Sequence, residues 1–224
     1  MQFDKLLARL KVKISPELLQ LALTHSSFAY EKGGEDNERL EFVGDSILGY
    51  LVAVHVFNTH GDLSEGELTK LKNAVVSAQA LATVANRIGL GDFLLLGKGE
   101  EQTGGRTKTN VLADAFEALL GAAYLSAGLE GASRIVTDHV LPLLEDPDAV
   151  RESSDPKTSL IELMQKRGID PVRYEVSGSG PEHQRMYTAK CFSGVELLAE
   201  GSSTTKRTAE TQAAIAALRE LASR

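Results

Sequence analysis

Two short runs of the 224-residue sequence carry acids where helical spacing brings them together. In NERLEFVGDSILGYLVAVHVF, Glu38, Glu41 and Asp45 fall at i, i+3 and i+7, one face of an α-helix. At 100° per residue, Phe42, Leu48 and Val52 project within roughly 60° of that face, so apolar side chains flank the acids. In ADAFEALLGAAYL, Asp114 and Glu117 stand at i, i+3, with Ala118, Gly121 and Leu125 as neighbours on that face. Burying an unpaired carboxylate is costly, and clustered carboxylates raise one another's pKa. Either Lys or Arg compensates them or a hard divalent cation does, because Mg2+ and Mn2+ favour oxygen ligands. If the two faces meet, they form a four-carboxylate site able to activate water and stabilise a leaving oxygen in phosphodiester hydrolysis. Each pair alone reads more readily as an N-terminal-turn acid or a salt-bridge partner; it is the two together, each inside an apolar helix, that favour a site. Gly44 and Gly121 sit beside the acids, where a mid-helix glycine costs about 1 kcal/mol relative to alanine. They suit either a close helix approach at the site or ordinary tight packing.

The elements that must hold these residues follow from the apolar spacing. Residues 38–57, 66–88 and 111–127 repeat apolar positions at three and four, which predicts helices. Glycines at 33–34, 89 and 91, 97 and 99, and 104–105 mark loops. No strand-like run precedes residue 145, so residues 1–147 are expected to form an all-α domain. EDPDAVRESSDPK has lost the periodicity and reads as a linker, centred on residues 148–156. Beyond it, TSLIELMQKRG predicts a short helix opening at Lys157 or Thr158. Strand-like VRYEVSG, MYTAKCFSG and VELLAEG come next, and then the helix former RTAETQAAIAALREL. Residues 157–224 are therefore expected to be a small α+β module of order α-β-β-β-α, making a multi-domain chain.

Composition bounds the function. The chain is 42% hydrophobic and 25% charged, ordinary for a globular protein. One cysteine, Cys191, excludes an intrachain disulfide and a cysteine-built zinc site; in its strand pattern it reads as a small core residue. No uninterrupted apolar run reaches about 18 residues, so no membrane span is expected. MQFDKLLARLKVK lacks a signal-peptide core, which makes the cytoplasm the expected compartment. A net charge of −7 argues alone against nucleic-acid binding, but residues 156–224 carry 10 Lys and Arg against 8 Asp and Glu, or +2. The loop LGKGEEQTGGR lacks the Lys-Ser/Thr ending of a P-loop; it excludes a nucleotide cofactor and reads as a flexible loop near the cleft. His25, His55, His60 and His139 have no ligand spacing and read as structural.

NERLEFVGDSIL, preceded by LALTHSSFAYE and followed by LGKGEEQTGGR and LADAFEALLGAAYL, resembles the bacterial ribonuclease III catalytic domain. DPKTSLIELMQ, GPEH and TTKRTAETQAA resemble a double-stranded-RNA-binding domain, in the family's domain order. The resemblance implies a homodimeric endonuclease that hydrolyses double-stranded RNA with Mg2+, with Mn2+ as a substitute, leaving 5′-phosphate and 3′-hydroxyl ends. Its substrates would be ribosomal RNA precursors, messenger RNA and other structured RNAs. On matching positions, Glu41, Asp114 and Glu117 would ligate the metal, with Asp45 and Glu117 catalytic. Asp45 would order a metal-bound water, and Glu38 would support the cleft.

RNA duplexes are read by shape, through minor-groove 2′-hydroxyls and phosphates across the major groove. Glu162 and Gln165, at i, i+3 on the first helix of the module, suit 2′-hydroxyls; Glu162 with Lys166 is alternatively a plain i, i+4 pair. The Gly180-Pro181 turn would offer His183 to the minor groove, and Lys206 and Arg207 open the last helix, where free N–H groups already favour phosphate. Ser26, Asn110, Ser126 and Thr204-Thr205 depart from the family's usual residues, the last thinning the basic cluster. Two rival readings remain: a non-catalytic RNA-binding protein dimerised by its helical part, and a metal-dependent hydrolase of small phosphoesters.

Overall fold

The computed structural model describes residues 3–145, 156–181 and 185–222. The chain divides into two compact units, Met1–Pro147 and Asp148–Arg224.

The first unit is helical: α1 (Asp4–Leu10), α2 (Pro16–Ala22), α3 (Ser26–Lys32), α4 (Glu38–Thr59), α5 (Glu65–Val76), α6 (Ala78–Arg87), α7 (Lys98–Gln102) and α8 (Thr109–Ile135). A π-helical turn, Val136–Val140, and a 3-10 turn, Leu141–Glu145, follow. Among the described residues of this unit the only extended pairing is a single parallel bridge, Thr24 to Leu95. Short-range chemistry sets several helix starts. Ser15 caps α2 ahead of Pro16, whose missing N–H costs nothing there. Ser64 and Glu67 close a reciprocal capping box on α5.

The expected helix over 66–88 is two helices. The chain turns extended at Ser77 (φ −67°, ψ 150°), whose hydroxyl accepts from Ala80 N and starts α6 afresh. The apolar spacing runs through the break; the cap, not the periodicity, decides the boundary. The expected helix over 111–127 begins at Thr109 and extends to Ile135, with a kink at Gly128 (φ 69°).

The helices α4 and α8 form the centre of the unit. Both stretches, α4 and Thr109–Glu145, are long and apolar enough by composition to cross a membrane. Here they bury against each other. Leu40, Gly44, Leu48, Val52 and Val56 make a ridge on α4 at every fourth residue. Phe116, Leu112, Leu119 and Leu120 on α8 are fully buried.

The second unit is α9 (Pro156–Lys166), β1 (Val172–Ser179), β2 (Met186–Ser193), β3 (Glu196–Ser203) and α10 (Lys206–Ala222). The helix α9 opens at Pro156, a residue earlier than expected and inside the span read as linker; proline is well suited to a first helical position. The rest of that linker lies outside the described residues. The sheet is antiparallel in the order β1-β2-β3, with Tyr174 opposite Cys191 and Cys191 opposite Ala199. One face packs on both helices, around Leu160, Met164, Ala189, Cys191, Leu198, Ala213 and Ala217. Lys157 bridges to Glu210 at 2.7 Å, tying α9 to α10.

Candidate metal centre

The crossing of α4 and α8 is built on two glycines. A Cβ at Gly44 would lie 1.8 Å from the Glu117 carbonyl oxygen, and one at Gly121 would lie 2.3 Å from that of Leu40. Backbone therefore touches backbone, and no other residue fits either position. Glu41 precedes Gly44 by three residues and Glu117 precedes Gly121 by four, so each sits about one turn from the contact and faces the other helix. One carboxylate oxygen from each of Glu41, Asp114 and Glu117 lies within 4.8 Å of the others. All three side chains are half-buried, whereas Asp45 and Glu38 are exposed at the rim.

This proximity shows in the acidities. Burial, then Asp45, Glu41 and Asp114, push the Glu117 carboxyl up to about 8. Glu41 is raised by burial first and then by Asp114, Glu38, Asp45 and Asp36. Asp114 is raised by burial, and the His25 charge opposes that rise. Among the described residues no Lys or Arg pairs with any of the three. With no Lys or Arg in place among the described residues, the cluster is one that could hold a cation. An all-oxygen donor set suits Mg2+ or Mn2+. Glu41, Asp114 and Glu117 would hold such an ion, one carboxylate oxygen from each.

Residues the spacing did not single out support the cluster. His25, which caps α3 by accepting from Ser27 N, is close enough to Asp114 to favour its ionised form. The buried Asn37, directly before α4, donates from Nδ2 to the Ala22 carbonyl at 3.3 Å. LGKGEEQTGGR is an ordered structure and not a flexible loop. Arg106 grips both oxygens of Glu101 at 2.7 Å and donates to the carbonyls of Gly91 (2.8 Å) and Leu94 (3.0 Å). Lys108 holds Glu100 at 2.8 Å. A guanidinium that can satisfy two carbonyls and a carboxylate at once accounts for the order. Ser126, one of the departures, accepts from Ser15 N at 3.0 Å.

Phe42 does not flank a buried face as its spacing implies: it is 76% exposed, while Leu48 and Val52 are buried. The acids lie on the border between the buried ridge of α4 and an exposed apolar stripe that includes Phe42, Tyr50 (54%) and Phe57 (69%).

In the second unit, Glu162 is half-buried and Gln165 exposed on α9. Lys206 and Arg207 are exposed at the start of α10, and Lys206 Nζ lies 5.9 Å from the Tyr187 ring. Arg185 lies 5.8 Å from the same ring. Thr205, one of the departures from the family's usual residues, caps α10 by accepting from Thr208 N at 3.1 Å. His183 lies outside the described residues.

A family model described as Ribonuclease-III-like matches residues 15–144, and one described as Double-stranded RNA binding motif matches residues 156–221. The chain is 50% identical over 213 residues to a protein named Ribonuclease 3 from Leifsonia xyli subsp. xyli, covering 95% of this chain and 90% of that one. A Ribonuclease 3 from Nocardia farcinica is 47% identical over 220 residues, covering 96% and 92%. Among solved structures, the ribonuclease III nuclease domain of Campylobacter jejuni, described for flexibility in a region involved in dimer formation, superposes with a TM-score of 0.59. It is 40% identical, covering 62% of this chain and 96% of that one. A helical nuclease unit carrying an unpaired carboxylate cluster, followed by an α-β-β-β-α RNA-binding motif, places the chain in the ribonuclease III family of endonucleases.

Proposed function

We propose that the chain is a metal-dependent endoribonuclease that cuts double-stranded RNA, leaving 5′-phosphate and 3′-hydroxyl ends. Its substrates would be ribosomal RNA precursors, messenger RNA and other structured RNAs in the cytoplasm. The observation that carries this reading is the cluster of Glu41, Asp114 and Glu117, which no Lys or Arg among the described residues pairs with, on a chain whose second unit is a double-stranded-RNA-binding motif.

Glu41, Asp114 and Glu117 would hold Mg2+ or Mn2+. The ion supplies Lewis-acid polarisation of the phosphate and a more acidic water. The chain's own residues do the rest. Burial and the neighbouring acids push the Glu117 carboxyl up to about 8, so an ion held there would favour loss of its proton. Asp45, exposed beside Glu117 and Glu41, accepts a hydrogen bond from the attacking water and orients it. Glu38 keeps the rim anionic. Glu162, Gln165 and His183 meet minor-groove 2′-hydroxyls, and Lys206 and Arg207 meet phosphates. The exposed apolar stripe on α4 is the contact between two copies in a homodimer, because patches of this kind mark interaction sites.

The test is a long RNA duplex incubated with Mg2+ or with EDTA, beside Glu117→Gln. Cutting should require metal and fall at least about 1,000-fold in the variant, while duplex binding persists. A duplex that the wild type retards but never cuts, with any divalent ion, would establish the non-catalytic binding protein instead.

A further inference from the structure

Asparagine at a helix N-cap normally turns its side chain back onto the first free backbone N–H groups. Asn37 does not. Its backbone is helical (φ −85°, ψ −6°) and its side chain makes no capping bond. Asp36 Oδ1 accepts from Glu38 N instead, at 3.2 Å. The Asn37 amide is thereby free to reach 15 residues back and donate to the Ala22 carbonyl, a bond that is fully buried. Its backbone N–H donates to Thr24 O at 2.9 Å, and its own carbonyl receives the N–H groups of Leu40 (3.0 Å) and Glu41 (2.9 Å). One residue, 4% exposed, thus joins the segment at 22–24 to the turn that carries Glu41.

That segment is itself fixed. Leu95 N donates to Leu23 O at 2.8 Å, and His25 N donates to Leu95 O at 3.1 Å. His25, the next residue along, is the one whose charge reaches Asp114. Residues 22–25 are therefore a shared mount, holding α4 through Asn37 and lying against α8 at Asp114. The mount opposes a specific force. Glu41, Asp114 and Glu117 repel one another once ionised, and Glu41 lies in the first turn of α4, where helices open most easily. The glycine contact reaches the first turn from the α8 side, at the Leu40 carbonyl, and the Asn37 bonds hold that turn from the other.

We infer that Asn37 is a positioning residue for the metal site, its side-chain amide tethering the first turn of α4 to Ala22 and so holding Glu41 against Asp114 and Glu117. The inference rests on reading those three carboxylates as metal ligands.

The test is Mn2+ and Mg2+ titration of the full chain without RNA, read as the rise in melting temperature, for wild type, Asn37→Ala and Asn37→Ser. Serine caps a helix as well as asparagine does but is too short to reach Ala22, so it separates the tether from capping. It is also the milder change and carries the test if the alanine variant does not fold. Both variants should need about tenfold more metal for half-saturation. In Asn37→Ser, cleavage should recover towards the wild-type rate once metal is saturating. Ser77→Ala, which removes the cap at the α5–α6 junction, supplies a comparison for lost stability and should keep the wild-type half-saturation. A wild-type metal requirement in Asn37→Ser would overturn the tether, as would an equal shift in Ser77→Ala. No metal-induced rise in the wild type would instead remove the reading of the carboxylates as ligands, a failure seen before any variant is made.

Discussion

Glu117 is the residue at which burial and charge meet most sharply. Its carboxyl is raised from 4.5 to about 8 in the folded chain, with burial as the first cause. The sign of the linkage follows. Between these two values the folded state holds a proton that the unfolded state has lost, so stability falls as pH rises. It is fully present below about 4.5, the unfolded value, and is lost as pH rises through about 8. Glu41 and Asp114 are raised too and act in the same direction. The metal-free protein should therefore melt at progressively lower temperature across that window, and Glu117→Gln should flatten the decline; differential scanning fluorimetry over a pH series checks both. A metal ion competes with the same proton, so the Mg2+-induced rise in melting temperature should be larger near the top of the window than near the bottom. An equal rise at both ends would mean that the ion does not bind these carboxylates.

Helices carry the site only if they approach backbone to backbone. Gly44→Ala would drive a methyl into the Glu117 carbonyl, which cannot swing aside as a side chain does. Overpacking a core typically costs about 1–3 kcal/mol, and this position should fall at or above the top of that range. Because the helices must also part, the variant should lose the metal-induced rise in melting temperature even where it remains folded. Ser77→Ala removes only a cap and should cost about 1 kcal/mol with the metal response intact. The contrast between the two, measured by denaturant unfolding with and without Mg2+, separates the crossing from general helix stability. At the α5–α6 junction the cap overrode a continuous apolar period, and in residues 98–108 Arg106 turned glycine-rich sequence into fixed structure. In both places a single polar side chain outweighed the pattern around it.

The whole molecule must bring an anionic duplex to a chain of net charge −7. The slightly basic second unit offers Arg185, Lys206 and Arg207 as exposed cations. Each phosphate contact contributes about 0.9 to the slope of log affinity against log salt for duplex DNA, and RNA should behave comparably. Ending the chain at residue 147 should therefore weaken duplex binding and flatten its salt dependence, while the metal-induced rise in melting temperature persists. Filter binding across a salt series reads the first two effects. The exposed stripe on α4 belongs to the same scale: if it makes the proposed dimer, Phe42→Asp should convert that dimer to a monomer in sedimentation without lowering the melting temperature of the unit much. A wild-type sedimentation profile in that variant would place the dimer contact elsewhere.

Much of this protein is legible without coordinates. The i, i+3 acids on apolar helices, the loss of periodicity after residue 145 and the alternation beyond it are local features, set by the 3.6-residue and two-residue periods of the chain. They suffice for a helical unit, an α+β unit and a candidate carboxylate site. Local spacing fails where the deciding partner is distant in sequence. Phe42 and Leu48 are both large apolar residues near the same helix face, and only the tertiary packing around α4 determines that Leu48 is buried while Phe42 is exposed. Spacing does not single out Asn37, and only the fold brings the Ala22 carbonyl within reach of its amide. Composition leaves open whether a base or a cation answers the clustered acids. Only the tertiary structure, through the crossing at Gly44 and Gly121, sets three carboxylates together with every Lys and Arg among the described residues unpaired with them, the arrangement on which the metal proposal stands.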